Sequence, residues 1–255
     1  MKTTPLDLLV DLSRRLGDPA MDAAILGEGN TSVRVGDDML VKASGVVLQH
    51  AEPGDFVRLP LTDAVALIAD DEAGDAEVDA FFSAIARAEG RRPSVEALLH
   101  VVLYEATEAR VVAHSHPTSV NALLCSQSAE LLVDGALFPD QIVVLGSTPL
   151  LVPYIDPGIR LARAVRELLR DHIARHGEAP KAVYLRNHGV FALGASADQV
   201  LGITTMMQKV ARVLIGANAV GGAQFMPPEE VQRIDTRPDE LYRRALLAAA
   251  GEETP

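Results

Sequence analysis

Apolar positions along the chain recur at two spacings, and the changes between them predict its elements. Leu6, Leu9, Val10 and Leu12 share one face of a helix that Thr4 can cap, Pro5 can open, and Gly17 and Pro19 end. Two short alternating runs, Ser32 to Val35 and Met39 to Ala43, are joined by Gly36-Asp37-Asp38 and predict a β-hairpin. Phe56 to Leu59 predicts a third strand. Residues 60–90 predict helix, interrupted by a solvated acidic stretch of Asp70, Asp71, Glu72, Asp75 and Glu77. Between Ser94 and Thr107 the apolar residues Val95, Leu98, Leu99 and Val102 again keep helical spacing.

Further along, Arg110 to Ala113 predicts a short buried strand, and a helix begins at Pro117. Ile142 to Leu145 and Leu150 to Val152 are expected to be strands, followed by a long amphipathic helix from Pro157 to Arg175 that Gly177 ends. Strands are expected at Lys181 to Leu185 and Val190 to Leu193, on either side of Asn187-His188-Gly189. Ala197 to Ile215 predicts a buried helix, since no charge falls between Asp198 and Lys209. Pro227-Pro228 precedes a short helix and a polar tail. With no repeat and no linker, the interleaved strands and helices predict one α/β domain over residues 1–255, with a core at about 5–215 and a helical tail at about 227–250.

Composition narrows the function classes. The 23 basic and 35 acidic residues give a formal charge of −12, and no basic stripe is present to displace counterions from a nucleic acid. An anionic small substrate remains compatible, because a local field is separate from net charge. The lone Cys125 excludes an intramolecular disulfide. The first residues lack the basic and apolar regions of a signal peptide, and no run of 18 apolar residues marks a membrane span. The expectation is a soluble cytoplasmic protein with neither nucleic acid nor membrane as partner.

Three histidines stand in informative places. His114 and His116 flank Ser115 at the end of an apolar strand, where positions i and i+2 share a face and can reach one ion. His188 follows a second buried strand at a tight turn, and three histidines with an open position form a known catalytic zinc arrangement. A cupin would want a Glu shortly after the His pair, and Pro117 to Gln127 contains none. Glu96 falls near a helix N-terminus, where the dipole favours carboxylates, and His100 one turn later can be a satisfied buried imidazole. Gly27-Glu28-Gly29-Asn30-Thr31-Ser32 lacks the third glycine of a dinucleotide fingerprint and leads into strands, but such a turn can cradle an anion. Lys42 with the Ser44-Gly45 turn can add charge and donors. Taken singly, each of these segments also has an ordinary structural reading as a turn, a first-turn acid or a core histidine.

Taken together, Gly29-Asn30-Thr31-Ser32, Lys42-Ala43-Ser44-Gly45, Pro93-Ser94-Val95-Glu96 with His100, His114-Ser115-His116-Pro117, Val152-Pro153-Tyr154 and Asn187-His188-Gly189 resemble the class II aldolase/adducin family over residues 5–215. The resemblance implies a single α/β domain whose central, mostly antiparallel β-sheet is sandwiched between helices, and a homotetramer with active sites between subunits. It implies a divalent metal, Zn2+ or another such as Mn2+ or Co2+, on His114, His116 and His188. Glu96 matches the catalytic acid/base, and Tyr154 a tyrosine that some members donate from the adjacent subunit. Gly29, Asn30, Lys42, Ser44, Gly45 and Ser94 fall where the substrate's phosphate or other charged end is held. Val95 stands where the sugar-phosphate aldolases often have a second Ser, so either Lys42 supplies the missing attraction or the anion is not a phosphate.

The implied activity is cleavage of a small anionic sugar-like substrate, a phosphorylated hydroxy-ketose or hydroxy-keto acid, into a carbonyl donor and an aldehyde through a metal-stabilised enediolate. A keto-acid phosphate decarboxylase or a sugar-phosphate 4-epimerase is the alternative, the epimerases usually carrying Asp at the position of Glu96. A non-enzymatic, adducin-like association module would be expected to have lost the metal ligands, which are all present.

Overall fold

The computed structural model describes residues 4–239 and 242. Its centre is a seven-stranded sheet made of β1 (Asn30–Val35), β2 (Asp38–Lys42), β3 (Phe56–Pro60), β4 (Val111–Ser115), β5 (Leu150–Val152), β6 (Ala182–Leu185) and β7 (Gly189–Gly194). The strand order is β3-β2-β1-β4-β7-β6-β5, and every neighbouring pair is antiparallel except β5 with β6. The described α-helices are α1 (Pro5–Leu16), α2 (Leu61–Ala69), α3 (Asp75–Glu89), α4 (Ala97–Ala106), α5 (Thr118–Leu124), α6 (Pro139–Leu145), α7 (Ile159–His176), α8 (Ala197–Ala219) and α9 (Pro228–Thr236). Helix α4 packs with α2 and α7, while α8 packs with α1, α5 and α6 and lies on β4 and β7. This is the expected α/β domain with a mostly antiparallel sheet between helices.

The hairpin forms where alternation predicted it, with Gly36 at φ 62 in its turn. Thr4 and Asp7 close a capping box on α1, as the sequence foretold. Helix α8 is the one described helix long and apolar enough to cross a bilayer by length and composition, yet half of its most apolar window is buried in the core.

Two expectations need correction. Ile142 to Leu145 is not a strand but the end of α6, whose first turn carries Pro139 and whose apolar residues pack against α8 and α9. A short run of β-branched residues does not distinguish a buried helix from a buried strand, and here the proline start and helical neighbours decide. Helix α4 begins at Ala97 rather than Ser94, because the Ser94 amide donates across to the Lys42 carbonyl at 3.1 Å and Ala43 bridges Pro93. The residues before Glu96 thus extend the sheet edge. Of the tail expected at about 227–250, α9 is present, and residues 240, 241 and 243–250 lie outside the described residues.

Candidate metal centre and active site

Register brings the site together. Asn30 of β1 pairs with His114 of β4, and His114 pairs with Phe191 of β7, so these three side chains share one face of the sheet. His114 is completely buried and stacks on Phe191, with ring centroids 4.4 Å apart. Its Nδ1 donates to the Val190 carbonyl at 3.0 Å, which leaves the Nε2 lone pair free to ligate. His116 follows the strand and places its Nε2 2.9 Å from that of His114. On its other side, its Nδ1 lies 3.6 Å from the Glu28 carboxylate, the arrangement that favours a proton on Nδ1. His188 enters from the turn between β6 and β7, where Asn187 takes a left-handed φ of 56 that asparagine tolerates well. The His188 ring lies 4.9 and 5.2 Å from those of His114 and His116, and its carbonyl accepts from Asn121 Nδ2 at 3.0 Å.

The candidate ligand atoms of the three histidines all lie within 4.8 Å of one another. Burial and the neighbouring His116 hold His114 well below the usual imidazole pKa, and burial with His188 lowers His116. Neutral imidazoles whose lone pairs converge fit a divalent transition metal. Three histidines, a nearby carboxylate and an open groove match the donor set of a catalytic rather than a closed structural site. That groove, about 380 Å3, is lined by Asp22, Ile25, Glu28, His116, Thr118 and Asn121.

Two glycines make the close approach possible. A Cβ on Gly189 would lie 2.5 Å from the His116 ring and 2.6 Å from the Ser115 carbonyl. One on Gly29, where φ is 69, would lie 2.8 Å from the His114 carbonyl. Gly189→Ala should therefore displace His116, with a cost of about 1–3 kcal/mol in denaturant unfolding and reduced metal retention after dialysis.

Glu96 occupies the N-cap position of α4. Its Oε2 accepts from Asn30 Nδ2 and from Ser94 Oγ, both at 2.9 Å, while Oε1 lies 3.7 Å from His188 Nε2. Burial works to raise its pKa. The His188 and His114 imidazoles beside it and the Ser94 hydroxyl outweigh that and hold it well below the usual carboxylate range. The carboxylate is ionised and oriented beside the histidines.

The other sequence-singled residues group in two ways. Asn30 and Ser94 join Glu96 directly, through Asn30 Nδ2 to Ser94 Oγ at 3.0 Å. Ser44 lies alongside, because its amide donates to the Arg92 carbonyl at 2.9 Å, and Gly45 turns the chain with φ 79. Lys42 is only 2% exposed, and its ammonium donates to the Val46 carbonyl at 2.6 Å and the Gly27 carbonyl at 3.5 Å. It thereby ties the glycine-rich turn to the Ser44-Gly45 turn. Val95 is 59% exposed, and Tyr154, in the segment between β5 and α7, is 58% exposed.

Burial pushes the Lys42 pKa down to about 8, opposed by the charges of Glu96 and Asp55. The unfolded chain therefore binds more protons than the native one above about pH 8, so this group adds stability as pH rises from about 8 towards 10. Lys42→Met should abolish that rise in urea unfolding measured across the window, before tyrosines titrate.

Sequence reasoning passed over Glu28 and Asn121, which touch His116 and His188, and left His100 as a core histidine. Only His100 carried a usable signal: it stands one helical turn after Glu96, on the same side of α4.

The family described as "Class II Aldolase and Adducin N-terminal domain" matches residues 7–215. Over 191 residues the chain is 26% identical to a Nocardia farcinica (strain IFM 10152) protein named "Probable bifunctional methylthioribose-1-phosphate isomerase/methylthioribulose-1-phosphate dehydratase", covering 73% of this chain and 31% of that protein. The chain thus spans under a third of the length of the curated relatives it matches. Its structure is similar to the N-terminal class II aldolase domain of a conserved protein from Thermoplasma acidophilum, with TM-score 0.64, 26% identity and coverage of 84% of this chain and 95% of that one. L-fuculose-1-phosphate aldolase from Thermus thermophilus shares the fold with TM-score 0.60 and 24% identity, over 85% of this chain and 98% of its own. With histidines, glycines and sheet register in the arrangement described, the chain belongs to the class II aldolase and adducin N-terminal domain family.

Proposed function

We propose that the chain is a divalent-metal-dependent aldolase, which cleaves a hydroxy-ketose or hydroxy-keto acid into a carbonyl donor and an aldehyde. The observation that carries this reading is Glu96, ionised and held by Asn30 and Ser94 at 3.7 Å from His188, at the edge of a three-histidine cluster. His114, His116 and His188 would hold a divalent metal ion, Zn2+ or another such as Mn2+ or Co2+, which would supply Lewis-acid polarisation of the substrate. Glu96 moves the proton. The substrate hydroxyl loses its proton, the carbon–carbon bond breaks, and the electron pair left on the donor is quenched when a proton is returned to carbon.

Asn30, Ser44, Gly45, Ser94 and Gly29 form the proposed cradle for the charged end of the substrate, with Lys42, whose ammonium joins the two turns, adding positive charge. The exposed Val95 offers no donor there, which favours a carboxylate or a phosphate bound mainly through backbone amides. Tyr154, exposed and without an intrachain hydrogen bond to the described residues around the histidines, is proposed to serve the site of a neighbouring subunit in a tetramer. Tyr154→Phe should then lower kcat about tenfold or more while metal content stays the same, and activity should fall on dilution below the subunit dissociation constant.

The same parts would support loss of water from a ketose phosphate, the reaction in the name of the Nocardia relative. A panel of ketose phosphates, uncharged ketoses and keto acids, offered to the metal-loaded protein, decides between them. Released aldehyde supports the aldolase reading. A dehydrated ketone or carbon dioxide as sole product overturns it.

A further inference from the structure

Behind Glu96 runs a hydrogen-bonded chain whose every member is buried: Tyr104, Ser32, His100, Asn30 and Ser94 are each 5% exposed or less. Its contacts are Tyr104 OH to Ser32 Oγ at 2.8 Å, Ser32 Oγ to His100 Nδ1 at 2.6 Å, and His100 Nε2 to Asn30 Oδ1. From Asn30 it forks, Nδ2 reaching Ser94 Oγ at 3.0 Å and Glu96 Oε2 at 2.9 Å. Phe191 meets the His100 ring edge-on at 5.2 Å and limits its rotation.

The direction of each bond follows from the last. An ionised carboxylate only accepts, so Ser94 Oγ donates to Glu96 and must accept from Asn30. That uses both hydrogens of the Asn30 amide and turns its oxygen towards His100. His100 Nε2 must then carry a proton, its Nδ1 must accept from Ser32, and Ser32 must accept from Tyr104. Burial holds His100 neutral, with its pKa down to about 3, and raises the Tyr104 phenol well above its ordinary value, so both keep the states the chain requires. Reversing the Asn30 amide would set two acceptor oxygens face to face at Glu96.

We propose that His100 is a positioning residue for Glu96: as its Nε2–H tautomer it locks the Asn30 amide so that the nitrogen, and not the oxygen, faces the carboxylate. This rests on the reading of Glu96 as acid/base. His100 is hydrogen-bonded to Ser32 and Asn30 and packs on Phe191, and its hydrogen-bonded route to Glu96 runs through Asn30.

Two measurements test it. In the Zn2+-loaded protein labelled with 15N-histidine, the resonance lost in His100→Leu should show a protonated Nε2 and an unprotonated Nδ1. Finding the Nδ1–H form overturns the proposal whatever the chain's substrate, so its failure is separable from failure of the aldolase reading. In steady-state cleavage, His100→Leu should lower kcat about 10- to 100-fold, with KM within about threefold and metal content unchanged. His100→Gln, whose amide can still donate towards Asn30, should recover most of that loss. Unchanged kcat in His100→Leu, a loss confined to KM, or equal losses in both variants would each overturn it.

Discussion

Glu96→Gln should keep its metal and its fold and lose turnover by about 10²- to 10⁴-fold. The amide is nearly isosteric but has no basicity, so the proton has no acceptor beside the donor carbon. One compensation is foreseeable from the site. The Asn30 amide and the Ser94 hydroxyl that donate to Oε2 can keep donating to the carbonyl oxygen of the glutamine, which keeps the side chain in place. The NH2 group then faces His188 Nε2, which lies 3.7 Å from the original Oε1. Metal content by elemental analysis and a melting temperature near that of the parent chain would show that the loss is chemical. Near-normal turnover would reduce Glu96 to a helix-end charge.

His116→Ala should cost both metal and activity. The three imidazoles are the donor set that the described residues offer, and two of them are too few ligands to hold an ion against a buffer. Elemental analysis should find the variant largely metal-free after dialysis against a mild chelator that leaves the parent loaded. The parent's own melting temperature should fall when a strong chelator strips it, since an ion bound only by the native state contributes about 2.7 kcal/mol at a hundredfold excess over Kd. His116→Ala should show no such shift. Retention of stoichiometric metal would place the ion elsewhere.

Much of this site was legible in the sequence because its parts are local. His114 and His116 are two apart at a strand end, the Asn187-His188-Gly189 turn is contiguous, and Glu96 precedes a run of helical apolar residues. What no local pattern carries is where a long side chain spends its charge. Lys42 read as a cation for substrate, and the structure aims its ammonium at two backbone carbonyls, of Val46 and Gly27, that the turns bring over it. The Ile142 to Leu145 run misled for a related reason, since β-branched composition is a weaker constraint than the helices α8 and α9 waiting beside it. Nor could spacing reveal that His100 and Asn30, 70 positions apart, are bonded, because that depends on β1 lying beside α4.

The pairing of Asn30 with His114 has a consequence for how the protein comes into being. A strand displaced by one position turns its side chains to the opposite face. If β1 slipped by one residue against β4, Asn30 and Ser32 would leave the α4 side, and Thr31, now bonded to Ser13 of α1 at 2.6 Å, would take their place. Glu96 would lose its Asn30 donor and His100 both of its partners in the same step. The last histidine also arrives late, on a turn between β6 and β7 that a ribosome makes only after most of the strands have emerged. No fragment that ends before the turn between β6 and β7 holds the complete ligand set, so an ion could not be held by all three histidines until that turn has emerged. A chain that holds the ion on all three histidines must therefore already have β4, β7 and β6 paired as described.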